Sequence, residues 1–361
     1  MAPVKRPVID VQHPLSRREF LRRAGLAGAG AVLLGACGPD DSAGGPTGTP
    51  EEDPPPETAT LRLSKDILLP RTAPFFLAEQ FLSEEGFTNV EYIGVAGSKD
   101  QGLQQIAAGE IDIGLTLQAP LTVAVDRGDE LVVLAGVNSS LFQLFGNDRV
   151  QSLRDLKGKS IAGKRDPTDP VYPFMAAVLA YIGIDVETEV EFVDVVGPGP
   201  VLQAWQAGTI DALMLTRPNS TIWESLNISH VILDGTVDPP WSQYFMAMAT
   251  GNRDFVEQHP VATKRALRAI LKATDVCARE PERAARYLVE KGYTQFNYDQ
   301  ALDGIPAPSY TAWREFNPED TMRFYALRLN EAGLVQSRPD ELIDRATDWR
   351  YLDEIKQELA V

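Results

Sequence analysis

The side chains in this chain that could do chemistry are spaced for gripping a small molecule, not for breaking bonds. Six short stretches place a basic, amide, hydroxyl or aromatic group at a turn, and a seventh offers a bare glycine bend. Pro70-Arg71-Thr72-Ala73-Pro74-Phe75-Phe76 offers a guanidinium and two rings. Arg71 would pair with a carboxylate or sulfonate, or sit at the surface; Phe75 and Phe76 would stack on a planar solute, or fill a core. Gly97-Ser98-Lys99-Asp100 turns into a helix, where free N–H groups and a hydroxyl suit an oxygen of a ligand, and where Ser98 would equally serve as a cap. Gln118, in Thr116-Leu117-Gln118-Ala119-Pro120, carries a donor and an acceptor. Residues 164–172 (KRDPTDPVY) contribute Arg165, Thr168 and Tyr172, with Pro170 leaving the loop's shape open. Gly199, within VGPGP, would admit close backbone approach. Arg217, in Thr216-Arg217-Pro218-Asn219, is the best-placed charge, and Trp241, in DPPWSQY, would cover a solute or pack at a hinge.

Covalent chemistry has no comparable support. The sequence contains no Gly-x-Ser-x-Gly elbow, no His-Glu-x-x-His, no P-loop and no Gly-x-Gly-x-x-Gly after a strand. His13, His230 and His259 are far apart, and neither they nor Cys37 and Cys277 have metal-ligand spacing. Cys277 lies in the helical pattern AILKATDVCARE, where a buried structural thiol is expected. No catalytic residue, metal or cofactor is expected. An exported hydrolase using carboxylates alone is the enzyme alternative, and a lipid-anchored assembly or interaction module is another.

The candidate groups need elements to hold them, and the body from residue 60 onward alternates strand and helix patterns. Residues 61–67, 90–93 and 111–116 read as strands; residues 75–85 and 101–108 read as helices. An internal echo then appears at a constant offset of 99: LQQIAAGEID at residues 103–112 and LQAWQAGTID at residues 202–211. Each copy is a helix, a Gly stop and an Ile-Asp pair opening a short strand. The echo implies two lobes of like construction, and gives Arg217 the strand-end position equivalent to Gln118. Further strands are expected at 160–163, 190–195 and 230–233, with a helix at 172–181. Beyond Asp254 the pattern is helical: 261–278, 281–291, 318–332 and 339–359. The expected organisation is therefore α/β with two lobes, each a βα sandwich, plus extra C-terminal helices. Residues 60–142 begin the first lobe, 143–254 form the second, and 255–361 return to the first. Closure would turn on crossovers near Leu144 and Tyr244, with ligand between the lobes.

Residues 1–36 read as an address. Ser16-Arg17-Arg18-Glu19-Phe20-Leu21 precedes an apolar stretch that runs into Leu34-Gly35-Ala36-Cys37, an arrangement similar to a twin-arginine export signal joined to a lipoprotein cleavage box. The stretch is too short and glycine-rich for a stable membrane span. Cys37 would become the lipidated first residue. Residues 37–59, rich in Pro, Gly and acid, are expected to be a disordered tether. The whole chain has a formal net charge of −17. Removing residues 1–36 makes it more negative, since they hold six basic side chains (Lys5, Arg6, Arg17, Arg18, Arg22, Arg23) against Asp10 and Glu19. Such a body excludes nucleic acid as partner and keeps clear of anionic headgroups.

Read together, Ala73-Pro74-Phe75-Phe76-Leu77-Ala78-Glu79 with Gly86-Phe87, and Gly109-Glu110-Ile111-Asp112-Ile113-Gly114, resemble the first lobe of substrate-binding proteins of ABC importers. The group is the one that serves nitrate, sulfonates, taurine and the pyrimidine precursor of thiamine. Asp155-Leu156-Lys157-Gly158-Lys159-Ser160-Ile161-Ala162 resembles that family's entry into the second lobe, and Ala207-Gly208-Thr209-Ile210-Asp211-Ala212 its echo. The resemblance spans roughly residues 60–290. It implies a type II periplasmic binding fold that captures a solute and delivers it to ABC permease subunits. A monomer is expected outside the cytoplasm, touching the bilayer only through its lipid. The family also resembles enzymes of thiamine-pyrimidine synthesis, a further alternative. A planar organic solute bearing a carboxylate, sulfonate or carbonyl oxygen is the expected ligand.

Overall fold

The computed structural model describes residues 54–65, 69–94 and 101–359. Four strands enter a first sheet: β1 (Thr60–Lys65), β2 (Asn89–Gly94), β3 (Ile113–Leu117) and β4 (Leu131–Ser139). The chain then builds a second sheet from β5 (Phe142–Gly146), β6 (Ser160–Ala162), β7 (Glu191–Val193), β8 (Ala212–Thr216) and β9 (His230–Asp234). Finally β10 (Phe245–Asn252) returns to the first. The strand orders are β2-β1-β3-β10-β4 and β7-β6-β8-β5-β9. They match place for place, and in each the fourth strand is antiparallel to both neighbours. That fourth strand reaches each sheet by a crossing from the other. The α/β, two-lobed architecture is thus the one expected from the sequence.

The echoed motif forms the same corner twice. Asp112 accepts a hydrogen bond from the Arg62 backbone N–H (2.7 Å), while its own N–H donates to the Arg62 carbonyl (2.9 Å). Asp211 does the same with Ser160, at 3.1 Å and 2.7 Å. In both lobes the aspartate thereby completes the ladder between adjacent parallel strands where it would otherwise fray. An arginine closes each corner. Arg62 pairs with Asp112 and donates to the Gly109 carbonyl (2.6 Å); Arg149 pairs with Asp211 (2.5 Å) and donates to the Gly208 carbonyl (2.9 Å). Gly109 and Gly208 have φ of 73° and 69°, the left-handed conformation that frees their carbonyls for this contact and disfavours any side chain. The Gly-x-Ile-Asp spacing is the sequence trace of that corner.

Several elements differ from expectation. The helix expected over 75–85 is two short ones, Ala73–Leu77 and Glu79–Leu82. The helix expected over 339–359 breaks into Pro339–Ala346 and Arg350–Glu358. The break occurs because Thr347 bridges Val133 and the Asp348 N–H donates to the Val133 carbonyl (3.1 Å), so β4 claims the backbone between them. Both pieces pack on the first lobe, where Lys264 pairs with Glu354 and Arg268 with Glu358, each at 2.8 Å. The bend read at residues 196–200 is instead the start of the Pro198–Gln206 helix. β10 lies within the span expected for the second lobe, yet it belongs to the first sheet. Its run FMAMATGN is buried throughout, and a central strand covered on both faces needs that composition.

The expected tether also ends earlier than 59. Residues 54–59 lie along the first lobe: the Pro54 carbonyl accepts from Arg265 (3.0 Å), and the Glu57 carboxylate accepts the Val261 and Ala262 N–H groups (3.0 and 2.8 Å). Glu57 thus caps the Pro260–Arg279 helix, whose own N-cap residue, His259, makes no side-chain cap. Residues 1–53, including the export signal and Cys37, lie outside the described residues. Among the described residues no helix is long and apolar enough to cross a membrane.

Candidate functional site

Topology alone fixes where the two lobes face each other. In the first sheet β1, β2, β3 and β4 point the same way, so their carboxyl ends and the amino end of β10 share one edge. In the second sheet the carboxyl ends of β6, β7, β8 and β9 share an edge with the amino end of β5. The chain passes from edge to edge twice, through Ser140 and Leu141 and through residues 235–244. The two crossings are tied together: the Ser140 N–H donates to the Tyr244 carbonyl (3.0 Å), and the Gly235 N–H to the Phe142 carbonyl (2.8 Å). A Cβ at Gly235 would fall 2.3 Å from Ser140 Oγ, so only glycine lets the crossings lie this close. Helix starts and strand ends from both lobes therefore line one cleft, the usual ligand position in open α/β sheets.

Polar groups collect along that edge. Gln118, first residue of the Gln118–Arg127 helix, is fully buried and donates through Nε2 to Thr122 Oγ1 (2.9 Å) and Met322 Sδ (3.0 Å). Gln143, at the start of β5, donates through Nε2 to Glu224 (3.2 Å) and Asp234 (3.1 Å). Asn138, near the end of β4, donates to the Ser139 carbonyl (3.1 Å). Ser220 is fully buried in the first turn of the Asn219–Glu224 helix. The oxygens Gln118 Oε1, Asn138 Oδ1, Gln143 Oε1 and Ser220 Oγ are all buried without a hydrogen-bond partner.

Among the described residues one ion pair spans the cleft. Arg217, just beyond β8, donates to Asp303 (2.6 Å) and to Thr221 Oγ1 (3.2 Å). Asp303 ends the Tyr298–Asp303 helix of the first lobe, and its second oxygen is buried and unpartnered. Next to it, a Cβ on Gly304 would meet Pro70 of its own lobe at 2.8 Å and Pro218 of the other at 3.0 Å. The lobes are thus in close contact at this mouth.

The residues singled out from sequence divide sharply. Gln118 and Arg217 stand on the cleft edge. Arg71 is buried in a 3₁₀ turn, Pro70–Thr72, with its carbonyl accepting from Tyr310 (2.8 Å). Phe75 and Phe76 are core residues of the first lobe; Phe76 stacks on Tyr293 at 4.4 Å. Arg165 turns back on its own lobe, donating to the Glu187 and Val190 carbonyls (2.9 and 2.8 Å). Thr168 closes a local turn on Asp166 (2.8 Å). Tyr172 is buried, edge-on to Phe192 and donating to Glu187; burial first, and then that carboxylate, push its phenol pKa up. Gly199 lies in the first turn of its helix, where a Cβ would meet nothing within 4 Å. Trp241 is buried within the second crossing, against Phe142 (5.9 Å), Tyr181 (5.8 Å) and Phe324 (5.2 Å). Of its two expected roles, hinge packing is the one these surroundings supply. Gly97 and Ser98 lie outside the described residues.

Sequence reasoning passed over Asn138, Gln143, Ser220, Glu224, Asp234 and Asp303. The signal was present for two of them, since Asn138 and Gln143 interrupt the apolar run LVVLAGVNSSLFQLFG. A polar side chain inside a fully buried strand needs a reason. Among the described residues no group of His, Cys, Asp and Glu is arranged to hold a metal ion. Cys277 is buried, and burial pushes its thiol up, away from reactivity.

Comparison with known proteins adds a family. The sequence profile described as NMT1/THI5 like matches residues 70–284, more than half of the chain. No curated protein matches by sequence. Many solved structures share the fold. The periplasmic nitrate-binding protein NrtA from Synechocystis PCC 6803 is 17% identical, with a TM-score of 0.66 over 84% of this chain and 90% of that one. The periplasmic aliphatic sulphonate binding protein SsuA from Escherichia coli is 18% identical, with a TM-score of 0.58 over 81% and 98%. A ligand-binding component of an ABC-type import system from Staphylococcus aureus is 12% identical, with a TM-score of 0.62 over 82% and 98%. At these identities the likeness is one of fold.

Proposed function

The chain belongs to the NMT1/THI5-like family, and from that premise we propose that it is an extracytoplasmic solute-binding protein that delivers a small organic solute to an ABC importer. The observation that carries this reading is the pair of matched lobes whose polar edges face each other across two tied crossings. Such a body changes the exposure of its cleft by rotating one lobe on the other, and a ligand that touches both lobes favours the closed form. Binding without chemistry fits the groups at hand: among the described residues these are amides, hydroxyls and one ion pair, with no nucleophile beside a base. The structural relatives that carry a described role are named as binding proteins, which supports binding over catalysis.

Delivery to a permease also requires a place at the membrane. Export through the twin-arginine route, cleavage before Cys37 and lipid on its thiol would hold a monomeric body at the outer face of the cytoplasmic membrane. Residues 38–53 would give it reach, and no nucleic acid would be bound. The test is direct. Intact-mass analysis of the native product should find Cys37 as a lipid-bearing first residue, and Cys37→Ser should move the protein to the soluble fraction. Export that survives Arg17→Lys with Arg18→Lys would remove the twin-arginine route. An unmodified start elsewhere would remove the anchor.

A further inference from the structure

Most of the unpartnered atoms at the cleft are amide or carboxylate oxygens, which only accept, beside the Ser140 and Ser220 hydroxyls, which can do either, and this balance restricts the solute. Gln118 Oε1, Asn138 Oδ1, Gln143 Oε1 and Asp303 Oδ2 are buried oxygens with no hydrogen-bond partner. All four belong to residues at the facing edges: Gln118 begins the helix after β3, Asn138 sits near the end of β4, Gln143 near the start of β5, and Asp303 closes the helix whose carboxylate meets Arg217 of the other lobe. Their orientation is set by chemistry. Gln143 must present its NH₂ to the carboxylates of Glu224 and Asp234, which leaves only Oε1 for anything else. Gln118 must present its NH₂ to Thr122, whose hydroxyl hydrogen is already given to the Gln118 carbonyl (2.9 Å). These amides therefore cannot turn a donor toward a ligand without stranding a partner.

Resting on the binding-protein reading, we infer that this cleft takes a solute that donates hydrogen bonds, a neutral or cationic molecule bearing amino, N–H or hydroxyl groups, in preference to an oxyanion. An anion brought to these edges would face acceptor oxygens and the carboxylates of Glu224, Asp234 and Asp303, and would leave the buried oxygens unpaired. Of the cations described at these edges, Arg217 is paired with Asp303, Lys164 with Asp166, Arg71 is engaged within the protein, and Lys65 lies over the Tyr293 ring. A donor-bearing solute instead satisfies oxygens from both lobes at once, which is what closure requires. The net charge of −17 works in the same direction, drawing cations and repelling anions from a distance. The acidic or carbonyl oxygen expected of the solute from sequence rested on Arg217 or Arg71 and on helix starts such as Gly97-Ser98, which lie outside the described residues.

The experiment titrates the full chain with four probes: cytosine as a neutral aminopyrimidine, putrescine as a diammonium ion, potassium nitrate and ethanesulfonate. Tm and radius of gyration are read for each. A donor-bearing probe should raise Tm by about 2–4 °C at millimolar concentration and compact the protein, and neither anion should do so. Gln118→Met, which keeps volume beside Met322, and Gln143→Leu should each weaken that binding by about tenfold or more, with Tm of the unliganded protein as the check on folding. Stabilisation and compaction by nitrate or ethanesulfonate alone overturns the inference and leaves the binding-protein reading standing. A protein that neither compacts nor is stabilised with any of the four overturns the inference and counts against that reading as well. Binding of a donor-bearing probe unaffected by both substitutions also overturns it.

Discussion

Glu85 shows at the scale of one residue how this acidic chain uses its carboxylates. Only 5% of its side chain is exposed, and it accepts from Arg268 (2.6 Å) and Lys272 (2.9 Å). Burial alone would push its carboxyl up, but the hydrogen bonds and charges of Arg268 and Lys272 outweigh that and hold it below the usual value of 4.5. A depressed carboxyl gives stability in full above pH 4.5 and loses it as pH falls through the folded value. Glu85→Gln is therefore expected to cost about 1–3 kcal/mol at pH 7, since Lys272 loses its carboxylate and Arg268 keeps only Glu358. Urea unfolding at pH 7 and pH 3 should show the gap between variant and parent narrowing in acid; an equal gap at both would contradict the account. Trp241 is the second residue of consequence. Its indole joins Phe142 and Tyr181 of one lobe to Phe324 of the other. Trp241→Ala should destabilise the whole protein by about 3–5 kcal/mol, as emptying an aromatic core does. A variant with unchanged Tm and reduced ligand affinity would put the indole on the solute instead.

At the scale of elements, the paired corners are the feature to test. Asp112 and Asp211 do the same work in separate sheets, each holding the N–H of the neighbouring strand and an arginine. Asp112→Asn and Asp211→Asn should each cost about 1–3 kcal/mol, because an amide loses the charge and turns one donor toward another. Their effects should add, since no hydrogen bond or ion pair joins the two corners. Chemical denaturation of the two single variants and the double variant decides this; a large departure from additivity would mean that the two corners are energetically coupled. The C-terminal helices illustrate the opposite lesson. The helical pattern of residues 339–359 implied a single helix, and contact with β4 at Thr347 divided it. Backbone pairing with a distant strand outweighed local propensity there, as tertiary context commonly does.

For the whole molecule the expected behaviour is rotation about the two tied crossings. The Arg217–Asp303 pair bridges the mouth, but the Arg217 side chain is 50% exposed, so screening limits the pair to a few tenths of a kcal/mol up to about 1 kcal/mol. That is too little to lock the lobes and enough to bias them. Arg217→Met should leave Tm nearly unchanged and increase the radius of gyration of the unliganded protein measured by small-angle scattering. An unchanged scattering profile would show that the pair does not hold the mouth. The hinge itself should resist substitution: Gly235→Ala would drive a methyl to 2.3 Å from Ser140 Oγ and separate the crossings.

Much of this architecture was legible in the order of residues. Strand and helix periodicity gave the α/β class, and the echo at 103–112 and 202–211 gave two like lobes, because a buried corner needs the same Gly and Asp wherever it is built. Local patterns of this kind act over one or two turns, so the sequence carries them directly. It also placed Gln118 and Arg217 at strand ends. What it could not decide was which side chains face the cleft, since that depends on contacts between segments separated by scores of residues. Phe75, Phe76 and Trp241 were as consistent with a ligand as with a core until the packing around them was known. Asp303 meets Arg217 across 86 positions and Gln143 meets Asp234 across 91. Only the folded chain, by closing those loops, turned Arg217 from a free cation into half of a pair and left acceptor oxygens where a charge had been expected.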